Sequence, residues 1–199
     1  MGLISNGSTI FDAGAMASGF GGSLSFLSKQ TASSSSSISF TSGINSTFKE
    51  YLFIYNNIHP ATGNTQLRFQ ANADGASGFN ETITSTAFLA FMGENGHSPT
   101  LGYEGGRDQA QGTGFQQISG DVGNDNDQVG CGYLHLFNPS STTFVKHYIA
   151  RASSCHPSDR ENDFHSVGYF NTTSAIDEIQ FKMSSGNIDS GTICLYGIG

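Results

Sequence analysis

DEIQFKMS, residues 177–184, alternates strictly: Ile179, Phe181 and Met183 fall on one side of an extended chain, Glu178, Gln180 and Lys182 on the other. That is the period of a strand with one face in a core. Working outward, comparable runs recur along the chain, at 50–57 (EYLFIYNN), 65–71, 81–92 (ETITSTAFLAFM), 113–119, 128–137 (QVGCGYLHLF), 142–152 (TTFVKHYIARA), 165–171 and 191–198. Gly, Asn, Ser and Pro clusters separate them, as turns require. Residues 134–149 read as a hairpin around Asn138-Pro139-Ser140-Ser141, and residues 177–198 as another turning at Ser185-Gly186-Asn187. No ten-residue stretch carries a 3.6-residue apolar repeat, and no internal repeat is visible. Nine or ten strands without crossover helices predict an all-β protein, an antiparallel β-sandwich that is jelly-roll-like, over residues 33–199.

The N-terminal residues 1–32 read differently, as an extended arm. Ile10, Phe11, Met16 and Phe20 are apolar, yet Gly14, Gly19, Gly21 and Gly22 lie among them. A short helix near 10–18 fits the composition, but it is too short and too glycine-rich to stand alone. Leu24-Ser25-Phe26-Leu27 reads as a strand, the alternative being that it opens the sandwich itself. The five serines 33–37 suit a linker or the start of the strand that Ile38-Ser39-Phe40 continues. Apolar but conformationally loose, the arm is expected to order on a partner. The candidate assembly residues are Ile10, Phe11, Met16, Phe20, Leu24, Phe26 and Leu27.

Composition narrows the function classes. Charged residues make up 12% of the 199, roughly half the usual share. With 16 Phe and 7 Tyr the chain can still build a core, so its solvated surface must rest on hydroxyls and amides. Net charge is −8, and the eight basic residues are scattered, no two adjacent. Nucleic acid and anionic membranes both require a basic stripe, so neither is an expected partner. No secretory signal and no transmembrane run is seen. Cys131, Cys155 and Cys194 are too few and too widely spaced for a disulfide framework or a metal knuckle, so buried thiols in a reducing cytoplasm are expected. Four Asn-x-Ser/Thr sequons reflect composition.

Chemistry-bearing patterns are sparse. Asp121, Asp125 and Asp127, with Asn124 and Asn126, make an oxygen-rich segment that could offer calcium ligands. It lacks the spacing and distal Glu of a helix–loop–helix site and reads as a solvated turn. Asp159–Asp163 reads as surface. His135 and His147 lie on the two arms of the first hairpin and could face each other, but no patterned third ligand accompanies them. Gly19-Phe20-Gly21-Gly22-Ser23 lacks a phosphate-loop lysine, and no Gly-x-Ser-x-Gly elbow occurs. Cys155 beside His156 is the more exposed thiol. No catalytic residue, cofactor or metal is assigned, and no enzyme is expected. Sugar binding would rest on tyrosines, there being no Trp.

Three segments carry a resemblance: 47–62 (TFKEYLFIYNNIHPAT), 134–147 (LHLFNPSSTTFVKH) and 174–199 (SAIDEIQFKMSSGNIDSGTICLYGIG). They resemble virion-associated proteins of marine tailed phages, especially those infecting cyanobacteria, over roughly residues 30–199. The closing SSGNIDSGTI-LYG phrase is the most specific, and Cys194 stands in it where a polar residue is expected. The resemblance implies a β-sandwich virion protein without known catalytic residues, made in the host cytoplasm. Its expected partners are other virion proteins, of capsid or tail, and further copies of itself. Capsid decoration as a homo-oligomer, a trimer in the leading arrangement, is the expected role. The alternative is a tail-fibre or knob adhesin that binds host glycans.

Overall fold

The computed structural model describes residues 23–96 and 99–199, with the backbone of residues 3–5, 8–12 and 15–16. The described residues form strands and turns and no helix. The strands are β1 (Leu3–Ser5), β2 (Ser8–Asp12), β3 (Ala15–Met16), β4 (Leu24–Thr31), β5 (Ile38–Phe40), β6 (Glu50–Pro60), β7 (Leu67–Ala73) and β8 (Ile83–Gly93). They continue as β9 (Thr100–Tyr103), β10 (Ala110–Gly112), β11 (Gln116–Gln117), β12 (Gly130–Phe137), β13 (Lys146–His156), β14 (Arg160–Phe170), β15 (Ile176–Met183) and β16 (Ile188–Ile198). The backbone of β1, β2 and β3 makes a small antiparallel sheet of its own. Of the stretch 10–18, where composition allows a short helix, the described residues 10–12 and 15–16 are extended. A lone two-turn helix interrupted by glycine cannot recover its nucleation cost.

Two larger antiparallel sheets pack face to face. One runs β4-β16-β6-β12 and continues through β13, β14 and β8, with β9 and β10 both along the far edge of β8. The other runs β5-β15-β7-β11. Numbered along the chain, the eight strands β4, β5, β6, β7, β11, β12, β15 and β16 take the orders 1-8-3-6 and 2-7-4-5. This is the two-sheet jelly-roll arrangement. Strands β8–β10 and β13–β14 are insertions that widen one sheet to nine strands.

Edge-to-face and tilted aromatic pairs join the layers. Phe53 on β6 meets Phe40 on β5 with ring centroids 5.2 Å apart and Phe181 on β15 at 5.4 Å; Phe69 on β7 meets Tyr148 on β13 at 4.9 Å. The inward residues of the 177–184 run, Ile179, Phe181 and Met183, are all buried. Glycines make room where a tyrosine lies across a strand. A Cβ on Gly132 would stand 2.2 Å from the Arg151 carbonyl oxygen and 2.8 Å from the Tyr55 ring, and one on Gly168 2.9 Å from the Tyr148 ring.

Two expectations are corrected. The hairpin expected over 177–198 is a crossing: β15 lies in the small sheet and β16 in the large one. The turn runs through Gly186 at φ +69°, where a side chain would also press on Thr62. Both strands bury one face, so their alternation looks the same whether they pair or pass between layers. The polar run 159–163, expected on the surface, enters β14, and Asn162 is buried with its amide donating to the Asp121 carbonyl at 3.1 Å. The 134–149 hairpin pairs directly, Leu136 opposite Tyr148.

The expected arm, residues 1–32, includes β4, which hydrogen-bonds to β16 along its length, from Leu24↔Ile198 to Thr31↔Thr192. Residues 24–31 thus belong to the edge of the large sheet. The apolar period-two run provides a face, and β16 provides an unpaired ladder for it. A bulge opposite Leu195/Tyr196 turns Leu27 inward, where it packs half-buried against the core.

A candidate interaction face on the nine-stranded sheet

Directly opposed residues of an antiparallel ladder point to the same side of the sheet. Following register partners across the large sheet therefore maps its outer face, the one turned away from the small sheet. One row crosses Val167, Ile149, His135, Leu52, Tyr196 and Phe26. The next crosses Tyr103, Phe88, His165, Arg151, Tyr133 and Ile54. Leu101 stands beside Ala90 and Asp163, and Leu24 beside Ile198.

Ten large hydrophobic side chains are exposed among the described residues. Nine of them, all but Phe144, lie on this one face of this one sheet. Leu101, Tyr103 and Phe26 are the most open, at 72%, 62% and 59% of their full exposure. Scattered single apolar residues need no explanation on a protein surface, whereas concentration on one face does.

Several charges on this face are paired within it, while Glu161 and Lys29 stand exposed on it. Arg151 donates from Nε and Nη2 to the two Asp163 oxygens, both at 2.8 Å. His165 Nε2 lies 3.1 Å from Asp163, and its ring stacks on Phe88 at 4.6 Å between centroids, with planes 10° apart. The Arg151 hydrogen bond holds the Asp163 carboxyl below its ordinary range; burial opposes this and His165 adds to it. His135 Nε2 sits 2.8 Å from Glu50, out of alignment for a hydrogen bond, with its ring tilted on Phe137. At its centre the face is thus aromatic and aliphatic around the Arg151–Asp163–His165 cluster, the composition found at the centres of protein interfaces, where aromatics and Arg are enriched.

The structure distributes the sequence candidates unevenly. Leu24 and Phe26 stand on the outer face and Leu27 turns into the core. For Ile10, Phe11 and Met16 only the backbone is described, and Phe20 lies outside the described residues. His135 opposes Ile149 rather than His147, whose ring sits 5.7 Å from Tyr169. In the Asp121–Asp127 loop the residues diverge. Asp121 turns inward to Gln66 and Arg107, while Asp125 and Asp127 stay exposed. Burial pushes Asp121 up, but the hydrogen bonds from Gln66 and Arg107 outweigh it and hold the carboxyl below its ordinary range.

The Cys155 thiol is pushed up, by burial first and then by four surrounding carboxylates, which disfavours a thiolate. His156 offers it no base: Ser158 N donates to Nδ1 at 3.0 Å, and Nε2 lies 2.7 Å from the Arg160 guanidinium. The outer-face residues Ile149, Val167, Phe88 and Leu101 went unsingled by sequence reasoning. Their signal was apolar residues at both parities of a strand, as in Phe88 next to Leu89.

No family model matches the chain, and no curated protein matches it. A solved structure of unknown function from Bacteroides ovatus aligns over 50% of this chain and 45% of that one, at 3% identity and a TM-score of 0.29.

Proposed function

We propose that this chain is a non-enzymatic structural protein that assembles through the outer face of its nine-stranded sheet. The observation that carries the reading is the gathering of nine of ten exposed large apolar side chains on that face. With β9 and β10 sharing one edge, the sheet is eight strands wide; at about 4.8 Å spacing it spans roughly 34 Å, and an eleven-residue strand extends roughly 35 Å. The face therefore exceeds the roughly 800 Å² per partner that a standard protein interface buries. Apolar side chains spread across the whole sheet, over several open hollows, suit another chain better than a small molecule, which needs one enclosing site. The resemblance to marine phage virion proteins gives the finer form of the proposal: a capsid decoration protein, present as a homo-oligomer on the particle. The alternative is a tail adhesin, favoured by the side-by-side placement of Tyr133 and the Arg151–Asp163 pair, which could stack on and hydrogen-bond a sugar.

Two measurements test this. Sedimentation of the protein should give an oligomer. The double substitution Ile149→Glu with Val167→Lys, an opposite-charge pair across the two strands, should convert it to a folded monomer, changing stability by no more than about 0.5 kcal/mol per exposed site. A wild-type monomer, or an oligomer indifferent to the substitutions, would sink the interface. Copy number in purified particles then decides the role: hundreds of copies mean decoration, a few tens mean tail.

A further inference from the structure

At the edge of the small sheet, strand β11 and the loop before β10 border a polar cavity of about 190 Å³. Its lining includes Arg68, Gly106, Arg107, Gln109, Phe115 and Gln117. Three of the chain's eight basic residues meet here. Lys182 lies opposite Arg68 in the β15–β7 ladder, and its ammonium stands 4.0 Å from the centre of the Phe115 ring.

The guanidinium groups are only partly satisfied. Arg107 Nε lies 3.0 Å from Glu104 in an ion pair and Nη2 donates to Asp121 at 2.8 Å, while Nη1 is buried without a hydrogen-bond partner. Arg68 gives Nη2 to Gln66 at 3.0 Å, while its Nε is buried without one. Arg107 neutralises Glu104 and Asp121, while Asp108, which also lines the cavity, accepts a hydrogen bond from the Tyr103 hydroxyl and keeps its charge. Burial, then the neighbouring Arg107, holds the Arg68 group below its ordinary range, while Asp121 opposes this. Both guanidiniums line the cavity and neither has all its donors matched by protein acceptors, so an acceptor bound there would add charge-assisted hydrogen bonds. The cavity exceeds several times the roughly 30 Å³ share of one water.

We propose that Arg68 and Arg107 form a pocket for a small free oxyanion of the phosphate class, with Lys182 at its rim. Guanidinium suits this ligand because its planar fork of N–H donors matches tetrahedral oxygens. A nucleic-acid phosphate is a poor fit, since the scattered remaining cations supply no track for a backbone.

The test is thermal unfolding of the whole chain titrated with potassium phosphate, against sodium chloride and sodium acetate at matched ionic strength. Phosphate and sulfate stabilise proteins generally by exclusion, an effect that grows without saturating. A bound anion instead adds a component that saturates. The expected result is a saturable rise with phosphate alone, together with broadening of the phosphate ³¹P resonance by substoichiometric protein. Arg68→Gln should abolish both the saturable component and the broadening. Arg68→Lys, which retains the charge but loses the fork, should weaken binding at least several-fold and serves if the first variant fails to fold. An unsaturated rise shared by wild type and variant, with an unbroadened resonance, overturns the proposal. Saturation by acetate but not phosphate would reassign the pocket to carboxylates and overturn it equally.

Discussion

Two halves of the same sheet are covered in opposite ways. Where the nine-stranded sheet lies under the small sheet, its inner face is aromatic and aliphatic: Tyr51, Phe53, Leu134 and Leu195 meet Phe69, Ile179 and Phe181 in one continuous core. Beyond that cover, on β14 and β8, only a small apolar cluster of Ala87, Leu89 and Phe164 remains, with Phe91 beside it. Between the two lies a polar seam. Gln116, fully buried on β11, accepts from Ser85 at 2.7 Å and donates to the carbonyls of Arg107 and Gln117 at 2.9 and 3.0 Å. The Tyr148 hydroxyl completes it against Ser166 at 3.2 Å, and burial pushes that phenol up to about 12, keeping it neutral. A two-residue strand supplies too little apolar surface to cover an inserted hairpin, so side-chain hydrogen bonds join it to the sheet instead. Apolar packing stabilises in proportion to area. A polar seam contributes little net but becomes costly when one partner is lost.

The largest expected effect tests the apolar half. Phe53→Ala should cost about 3–5 kcal/mol, because a fully buried ring leaves a cavity between two sheets that cannot collapse. Urea denaturation would show it as a fall in midpoint with unchanged slope, and a loss under 1 kcal/mol would mean the layers are loosely packed. Gln116→Ala comes next, at about 1–3 kcal/mol, since it strands the Ser85 hydroxyl and two carbonyls. Hydrogen exchange should then rise in β8 and β10 before β6; uniform exchange would show that the halves do not differ in cooperativity.

The smallest effect belongs to the outer face. Asp163 is held below its unfolded value, so its contribution is present above the unfolded carboxylate range near pH 4 and is lost as pH falls through the lower folded value. Solvent screening of this partly exposed pair keeps the amplitude small. Stability measured at decreasing pH should fall less steeply in Asp163→Asn than in the wild type, and parallel curves would remove the pair from the account.

The sheets were largely legible in the sequence, because alternation at 177–184, 50–57 and 142–152 reports a buried face directly. What alternation could not report was the sheet to which a strand belongs, hence the misplaced hairpin at Gly186. Nor could it reveal Arg68 and Arg107, 39 positions apart, as neighbours, since β11 alone brings their segments together. Short strands such as β9, β10 and β11 carry too few residues for a period. Two of the nine exposed apolar residues of the candidate assembly face were legible: Leu24 and Phe26 stood out against polar neighbours. Val167 and Ile149 read as ordinary core residues, because a strand with apolar side chains on both faces has no preferred side.

The pairing of β4 and β6 with β16 has a kinetic consequence. Residues 188–198 fill the slot between two strands that lie more than 120 positions earlier in the chain. That ladder can form only after a loop spanning most of the molecule has closed, and its entropy must be met before any hydrogen bond rewards it. Folding should therefore run in the millisecond-to-second range of high-contact-order β proteins. Until it finishes, β4 and β6 present two bare backbone edges, an opening through which a β16 from a neighbouring chain could enter in place of the chain's own.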